Sequence, residues 1–250
     1  MENVEKKTQK RRKINLDYPW ITAAVALVAL VVILSIVSPV FLSTSNIMSI
    51  LRQASVYVIM GLGMSFVLMT GGTDLSQGSL LDLVGVVAAH IVQNVGSIPL
   101  AIVSSIAVGA VVGFVNGTIV SRLKIPPFIA TLAMMYLCRG LTLVITQASP
   151  IVLTNDAFKW IGTGSLLGLP VPVYIFIIAA AIGQFILSYT ATGRFVLAVG
   201  SNEEAARLSG IKTRWNKCKA YIISGVMGLH CRHRICGPSG RSPGYRRPVL

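Results

Sequence analysis

Apolar runs about as long as a membrane is thick decide what this 250-residue chain can fold into. They occupy Trp20 to Val37, Ala54 to Thr70, Leu80 to Val95, Ile98 to Val120, a stretch restarting at Pro126-Pro127, and Val171 to Tyr189. A helix needs about 20 residues to cross a hydrocarbon core of about 30 Å. Lipid offers a backbone amide no partner outside its own segment, so runs this apolar must close their hydrogen bonds as helices. The sequence predicts an all-α, polytopic membrane protein with about six full spans. With 54% hydrophobic and only 12% charged residues, a soluble domain of this length is excluded. A seventh apolar run starts at Ala220 and stops at Leu229, about 15 Å of helix at 1.5 Å per residue, half a membrane thickness.

The formal net charge of +14 sits at the ends of these runs rather than within them. Lys6, Lys7, Lys10, Arg11, Arg12 and Lys13 crowd a polar tail, residues 1–19, ahead of the first span. That span is longer than a signal-peptide core and lacks a small-x-small cleavage site, so it reads as uncleaved. Counting crossings from a cytoplasmic N-terminus puts Ser121 to Lys124 and Thr190 to Lys219 inside, and the long turn-rich loop from Thr146 to Pro170 outside. The inside loops hold Arg122, Lys124, Arg194, Arg207, Lys212, Arg214, Lys217 and Lys219, against little more than Arg52 and Lys159 outside. The bias of basic residues toward one side supports this topology. Orientation signals explain the charge better than a nucleic-acid partner does.

Between the second and third spans lies Thr70-Gly71-Gly72-Thr73-Asp74-Leu75-Ser76-Gln77-Gly78-Ser79. Paired glycines, an aspartate and serines between apolar runs predict irregular backbone at membrane depth, tolerated only where protein or a wet cavity surrounds it. Gly71, Gly72, Asp74, Ser76 and Gly78 are the pathway candidates. Two readings of Asp74 stand: a direct part in transport, or a cap for the helix that follows. Asp82, eight residues on, falls on nearly the same helical face, which leaves a proton-relay pair as a further option. In the fourth span Gly109, Gly113 and Gly117 recur every fourth position, a smooth stripe for a close helical neighbour.

The segment Gly200 to Ile211, Gly-Ser-Asn-Glu-Glu-Ala-Ala-Arg-Leu-Ser-Gly-Ile, reads as a short polar helix between two membrane segments. Ser201 and Glu204 have the spacing of a capping box. Glu203 and Glu204 sit at the positive end of the helix dipole, Arg207 near the negative end, and Gly210 supplies the left-handed residue that closes the helix. Two to three turns fall well below the roughly 12 to 15 residues at which isolated helices become marginal in water. Something else must hold this helix, and a separate protein is the expected holder.

Three stretches, in order, resemble one family. Asp74, Ser76 and Gly78 match its Gly-Gly-x-Asp-Leu-Ser-x-Gly signature, with Gln77 at a variable place. Leu123 to Leu132 is similar to its mid-chain segment, and Thr192-Gly193-Arg194 followed by Gly200 to Ile211 looks like its cytoplasmic coupling loop. The family is that of the sugar-type permeases of ATP-binding-cassette importers, and the resemblance covers roughly Pro39 to Leu229. It implies a membrane-spanning permease subunit for a monosaccharide, with ribose or a related pentose or hexose favoured, in the bacterial inner membrane. It further implies that Ser201, Asn202, Glu204, Ala205, Ala206, Leu208 and Gly210 dock on a separate ATPase subunit. Other implied partners are a periplasmic or lipoprotein sugar-binding protein, a second copy of the permease and the membrane lipid. Asp82 departs from the small apolar residue expected there. Against this stands a secondary transporter that couples to ions through its intramembrane aspartates.

Catalysis has little footing. The histidines are His90, His230 and His233, no phosphate-binding loop of the Gly-x-x-x-x-Gly-Lys-Ser/Thr kind is present, and energy must come from a partner. Cys138, Cys218, Cys231 and Cys236 show no disulfide framework. The crowded His and Cys residues after His230 lack the paired spacing of a zinc site, so neither a metal nor a cofactor is expected. From His230 the composition turns to arginine, proline and glycine without an acid. The expectation is three parts: a basic tail at 1–19, an incomplete transmembrane domain at 20–229, and an aberrant, frameshifted tail at 230–250 that leaves the permease truncated and inactive.

Overall fold

The computed structural model describes residues 19–227, apart from 150, 152 and 154. Residues 1–19 and 230–250, with the tail, zinc and frameshift expectations placed on them, lie outside the described residues except for Pro19. Two compact units are present, residues 1–49 and 50–250.

In the first unit, α1 (Pro19–Val37) carries outward-facing Val25, Leu27, Val28, Leu30, Val32, Ile33 and Ile36, the surface a lipid-bathed helix needs. Ser43 Oγ accepts from the Asn46 amide at 3.3 Å and opens α2 (Thr44–Leu68). Here the sequence expectation is corrected. The span expected from Ala54 starts ten residues earlier, at Thr44, as one unbroken helix of 25 residues. Asn46 turns its side-chain amide back to the Phe41 carbonyl, at 2.7 Å.

The second unit continues with α3 (Gln77–Val95), α4 (Ile98–Arg122), α5 (Pro127–Thr146), α6 (Asp156–Thr163), a hairpin of β1 (Ser165–Leu166) and β2 (Leu169–Pro170), α7 (Val171–Tyr189), α8 (Ala191–Ser201), α9 (Glu203–Leu208) and α10 (Thr213–Met227). Among the described residues five helices, α2, α3, α4, α5 and α7, are long and apolar enough to cross a membrane. α3 is the buried one. Its Leu80, Leu83 and Val84 pack with Val112 of α4 and with Met134 and Cys138 of α5. α7 keeps Ile177, Ile178, Ile182 and Phe185 exposed, an apolar outer face suited to lipid. Pro127 opens α5, where a missing amide costs nothing.

The stretch from 146 to 170 is more ordered than turn residues alone suggested. Asn155 Oδ1 accepts from the Phe158 amide at 3.1 Å and starts α6, and Leu167 and Gly168, both at positive φ, turn the hairpin. Phe158 is then buried with Ala88 and Val92 of α3 and Ala101 of α4. The final helix is corrected too: α10 begins at Thr213, not Ala220, so its described part is 15 residues long. The polar first turns hid its start, because hydropathy marks only the apolar half.

The glycine stripe of α4 finds its neighbour in α10. A Cβ on Gly109 would overlap the Gly225 carbonyl, one on Gly113 the Tyr221 carbonyl, and one on Gly117 would lie 2.7 Å from Cys218 Cα. Backbone meets backbone over about two turns, so van der Waals contact rather than side-chain interdigitation joins the two helices. Gly61 on α2, with nothing within 4 Å of its would-be Cβ, is the internal control. Gly113→Ala should destabilise the protein by about 1–3 kcal/mol through overpacking, whereas Gly61→Ala should leave it unchanged or stabilise it by up to about 1 kcal/mol. Thermal unfolding of both variants in detergent measures the difference; equal midpoints would show that α4 and α10 do not meet in this way.

Candidate functional site

Residues 69–76 join α2 to α3 without regular structure, as the paired glycines and polar residues predict. Gly71 takes φ of 77°, the left-handed region that glycine enters without penalty. Gly72 is needed for space rather than for its dihedral angle: a Cβ there would sit 2.8 Å from Tyr221 Oη. The turn delivers Asp74, 2% exposed, to the mouth of α3.

The Asp74 carboxyl group accepts three hydrogen bonds. Oδ1 takes the Ser76 amide at 3.0 Å and the Ser76 hydroxyl at 2.6 Å, and Oδ2 takes the Ser224 hydroxyl of α10 at 2.8 Å. Asn116 of α4 donates through Nδ2 to Ser76 Oγ at 3.0 Å. Gln77 donates through Nε2 to the Ser224 carbonyl at 3.0 Å and to Ser224 Oγ, and Tyr221 donates to the Thr73 carbonyl at 3.2 Å. The α2–α3 turn, α4 and α10 are thus pinned at one buried point. Among the described residues Asp74 is in no ion pair, so its stabilisation is by hydroxyl and amide donors. Gln77 Oε1 and Asn116 Oδ1 are buried there without a hydrogen-bond partner among the described residues.

The Asp74 carboxylate bonds the Ser76 amide just ahead of α3, while α3 itself, with Ser76 at its N-cap, takes no side-chain cap. Asp82 lies within α3, half-buried, while Asp74 precedes the helix. Ser76 joins the cluster, but Gly78 does not: it is exposed, and a Cβ there would touch nothing. Four members went unread. Gln77 stands at a variable place of the signature, and Asn116, Tyr221 and Ser224 belong to no motif. The signal for Asn116 was available, a lone amide between Gly113 and Gly117 on an otherwise apolar helix.

A second cluster surrounds α9. Thr190 Oγ1 accepts from the Gly193 amide at 3.3 Å and opens α8, which was not expected as a helix of its own. α8 runs through Ser201, and this corrects the capping box. The Ser201 hydroxyl bonds back to the Leu197 carbonyl at 3.0 Å, as a serine inside a helix does, and cannot cap the next one. The chain bends at Asn202 (φ −159°, ψ 105°), whose Oδ1 accepts from the Ala205 amide at 2.9 Å. Glu204, freed from any capping duty, pairs with Arg207, Nε to Oε2 at 3.1 Å. That hydrogen bond pulls the Glu204 carboxyl below its usual range and raises Arg207. The pair therefore persists at neutral pH and is lost only as pH falls through the lowered carboxyl value. Gly210 at φ 81° closes α9, with the Ile211 amide on the Ala206 carbonyl at 3.0 Å, as expected.

α9 is held on two sides. Ala206 is its buried residue, whereas Ala205, Arg207 and Leu208 are exposed, Leu208 at 77%. Lys217 of α10 reaches Glu203 at 2.6 Å, and α8 presses Gly200 against the Met69 carbonyl at the end of α2 so closely that no Cβ could intervene. Both clusters consequently share α10, and α8 abuts the residue two before Gly71.

Comparison with known proteins is decisive for the family. Residues 46–228 match the model of the family described as branched-chain amino acid transport system / permease component. The ribose import permease protein of Escherichia coli (strain K12) is 42% identical over 215 residues, 83% of this chain and 67% of that protein. The ribose import permease protein of Bacillus subtilis (strain 168) is 43% identical over 201 residues, 79% of this chain and 62% of that protein. The galactofuranose transporter permease protein of E. coli (strain K12) is 34% identical over 230 residues, 88% of this chain and 66% of that protein. No solved structure matches.

The buried cluster predicts an ordered set of stabilities. Asp74→Asn keeps an oxygen for the Ser76 amide, so it should cost less than Asp74→Ala, which strands the Ser76 amide and two hydroxyls at about 1–3 kcal/mol for each group left unsatisfied. Tyr221→Phe, losing one hydrogen bond, should cost about 0.5–1.5 kcal/mol. Chemical or thermal unfolding in detergent ranks the three; Asp74→Ala as stable as Asp74→Asn would mean the cluster does not hold the corner together.

Proposed function

The chain belongs to the branched-chain amino acid transport system / permease component family, and from that premise we propose that it is the membrane-spanning permease subunit of an ATP-binding-cassette importer for a monosaccharide. Ribose, or a related pentose or hexose, is the cargo favoured by its relatives' names. The chain is a transport subunit and not an enzyme; ATP hydrolysis belongs to a separate ATPase subunit, and a sugar-binding protein delivers the cargo. It lies in the bacterial inner membrane with its N-terminus in the cytoplasm, and two copies frame one pathway.

The observation that carries this reading is α9. A six-residue helix that exposes most of its surface has no reason to persist in water by itself. Its Asn202 cap, its Gly210 stop and the Glu203–Lys217 tie fix its attitude on the protein while leaving Ala205, Arg207 and Leu208 outward for a partner. Asn202, Glu204, Ala205, Leu208 and Gly210 form or present this docking element; Ser201 supports it from the end of α8, and Ala206 seats it. Gly71, Gly72, Asp74 and Ser76 shape the α2–α3 corner of the pathway rather than carry protons.

The test is reconstitution with the ATPase and binding protein. Asn202→Ala should weaken α9 by about 1 kcal/mol and reduce co-purification of the ATPase while membrane insertion is kept. Gly210→Val, forced into positive φ, should do the same more strongly. Asp74→Asn should keep substantial ATP-dependent sugar uptake. Undiminished ATPase recovery and uptake in both α9 variants would refute the docking role, and a well-folded Asp74→Asn protein without uptake would show that the charge itself is needed.

A further inference from the structure

A cleft of about 470 Å³ opens where α4 ends and α10 begins, lined in part by Arg122, Arg207, Lys212, Arg214 and Trp215. Four cationic side chains converge on it from three places in the fold: the last residue of α4, the last turn of α9, and the turn into α10. Among the described residues Arg122, Lys212 and Arg214 are in no ion pair, and only Arg207 has a carboxylate, Glu204. The first amides of the 15-residue α10 add the positive end of its dipole beside Thr213. Apart from the Arg207–Glu204 pair, the like charges held together here have no counter-ion among the described residues. That arrangement costs repulsion unless an external anion relieves it.

Depth tells which anion. Arg122 terminates the 25-residue apolar α4, which places it at headgroup level on the side where basic residues gather. Trp215 is half-exposed with Lys219 Nζ 5.9 Å from its ring centroid, an amphipathic pair suited to the membrane–water boundary. Ala205 and Leu208, exposed on α9, do not line the cleft, whereas Arg207 does. We infer that this cleft binds the phosphate of an anionic glycerophospholipid from the cytoplasmic leaflet, bridging the end of α4 to α9 and α10. Basic pockets between helices on the cytoplasmic side recognise such headgroups by charge. The inference takes only the orientation from the proposed function and none of its cargo or ATPase assignments.

The experiment therefore uses the purified chain alone. Native mass spectrometry, from detergent supplemented with equal phosphatidylglycerol and phosphatidylethanolamine, should show the anionic lipid retained preferentially. Arg122→Gln with Arg214→Gln should weaken that retention by on the order of thirtyfold, the effect of two surface cations, and each single variant by less, should the double one not fold. Lys159→Gln, a charge removed outside the cleft, should change nothing. Equal retention of the two lipids, or undiminished retention in the Arg122 and Arg214 variants, would overturn the proposal. Inorganic phosphate binding in place of lipid would identify a soluble anion as the occupant, and loss of lipid on adding the ATPase subunit would assign the cleft to that protein; both outcomes overturn it.

Discussion

The close approach of α4 to α10 is the constraint on which the rest of the second unit depends. Gly109, Gly113, Gly117 and Gly225 remove side chains from the interface, so the helix axes come nearer than Ala or Leu would permit. Only at that distance can Ser224 and Tyr221 reach Asp74 and Thr73, because serine is short and its hydroxyl lies 2.8 Å from the carboxylate. Burying that carboxyl group would otherwise be expensive in a protein interior. The stripe and the polar corner are thus one device: apolar contact sets the spacing, and the hydrogen bonds then fix rotation and register of α10 about its axis.

Much of this was legible from residue types, and the illegible part has physical reasons. Span length and apolarity located α1, α3, α4 and α7 because hydropathy integrates over 20 residues and is insensitive to single exceptions. Boundaries fared worse. α2 and α10 begin in polar turns that look like loops, yet Ser43 and the residues from Thr213 supply helix starts that no hydropathy window weights. The capping box failed on a choice between neighbours: Ser201 and Asn202 are both good caps, and only the length of α8 decides that Ser201 is still helical. The glycine stripe announced a close partner without naming it. Ser224 and Tyr221 lie about 150 residues from Asp74 and Thr73, which they secure, a pairing that local periodicity does not encode.

The two clusters sit at different places along the same helix. Lys217 and Ser224 are seven residues apart on α10, two turns, or about 10.5 Å of rise. One end of that span grips α9 through Glu203, the other grips the α2–α3 corner through Asp74. An exposed ion pair by itself contributes little to stability, about 0–1 kcal/mol. Lys217 is only partly exposed, however, and its value lies in fixing where α9 points rather than in holding the fold together.

The contact of Gly200 with the Met69 carbonyl has a mechanical meaning. Side chains touching side chains leave rotamers to absorb a displacement, so some of any movement is taken up as play. Main chain against main chain has no rotamers. A shift of α8 toward this contact would bear directly on the backbone that follows α2, two residues before the left-handed turn at Gly71, φ 77°.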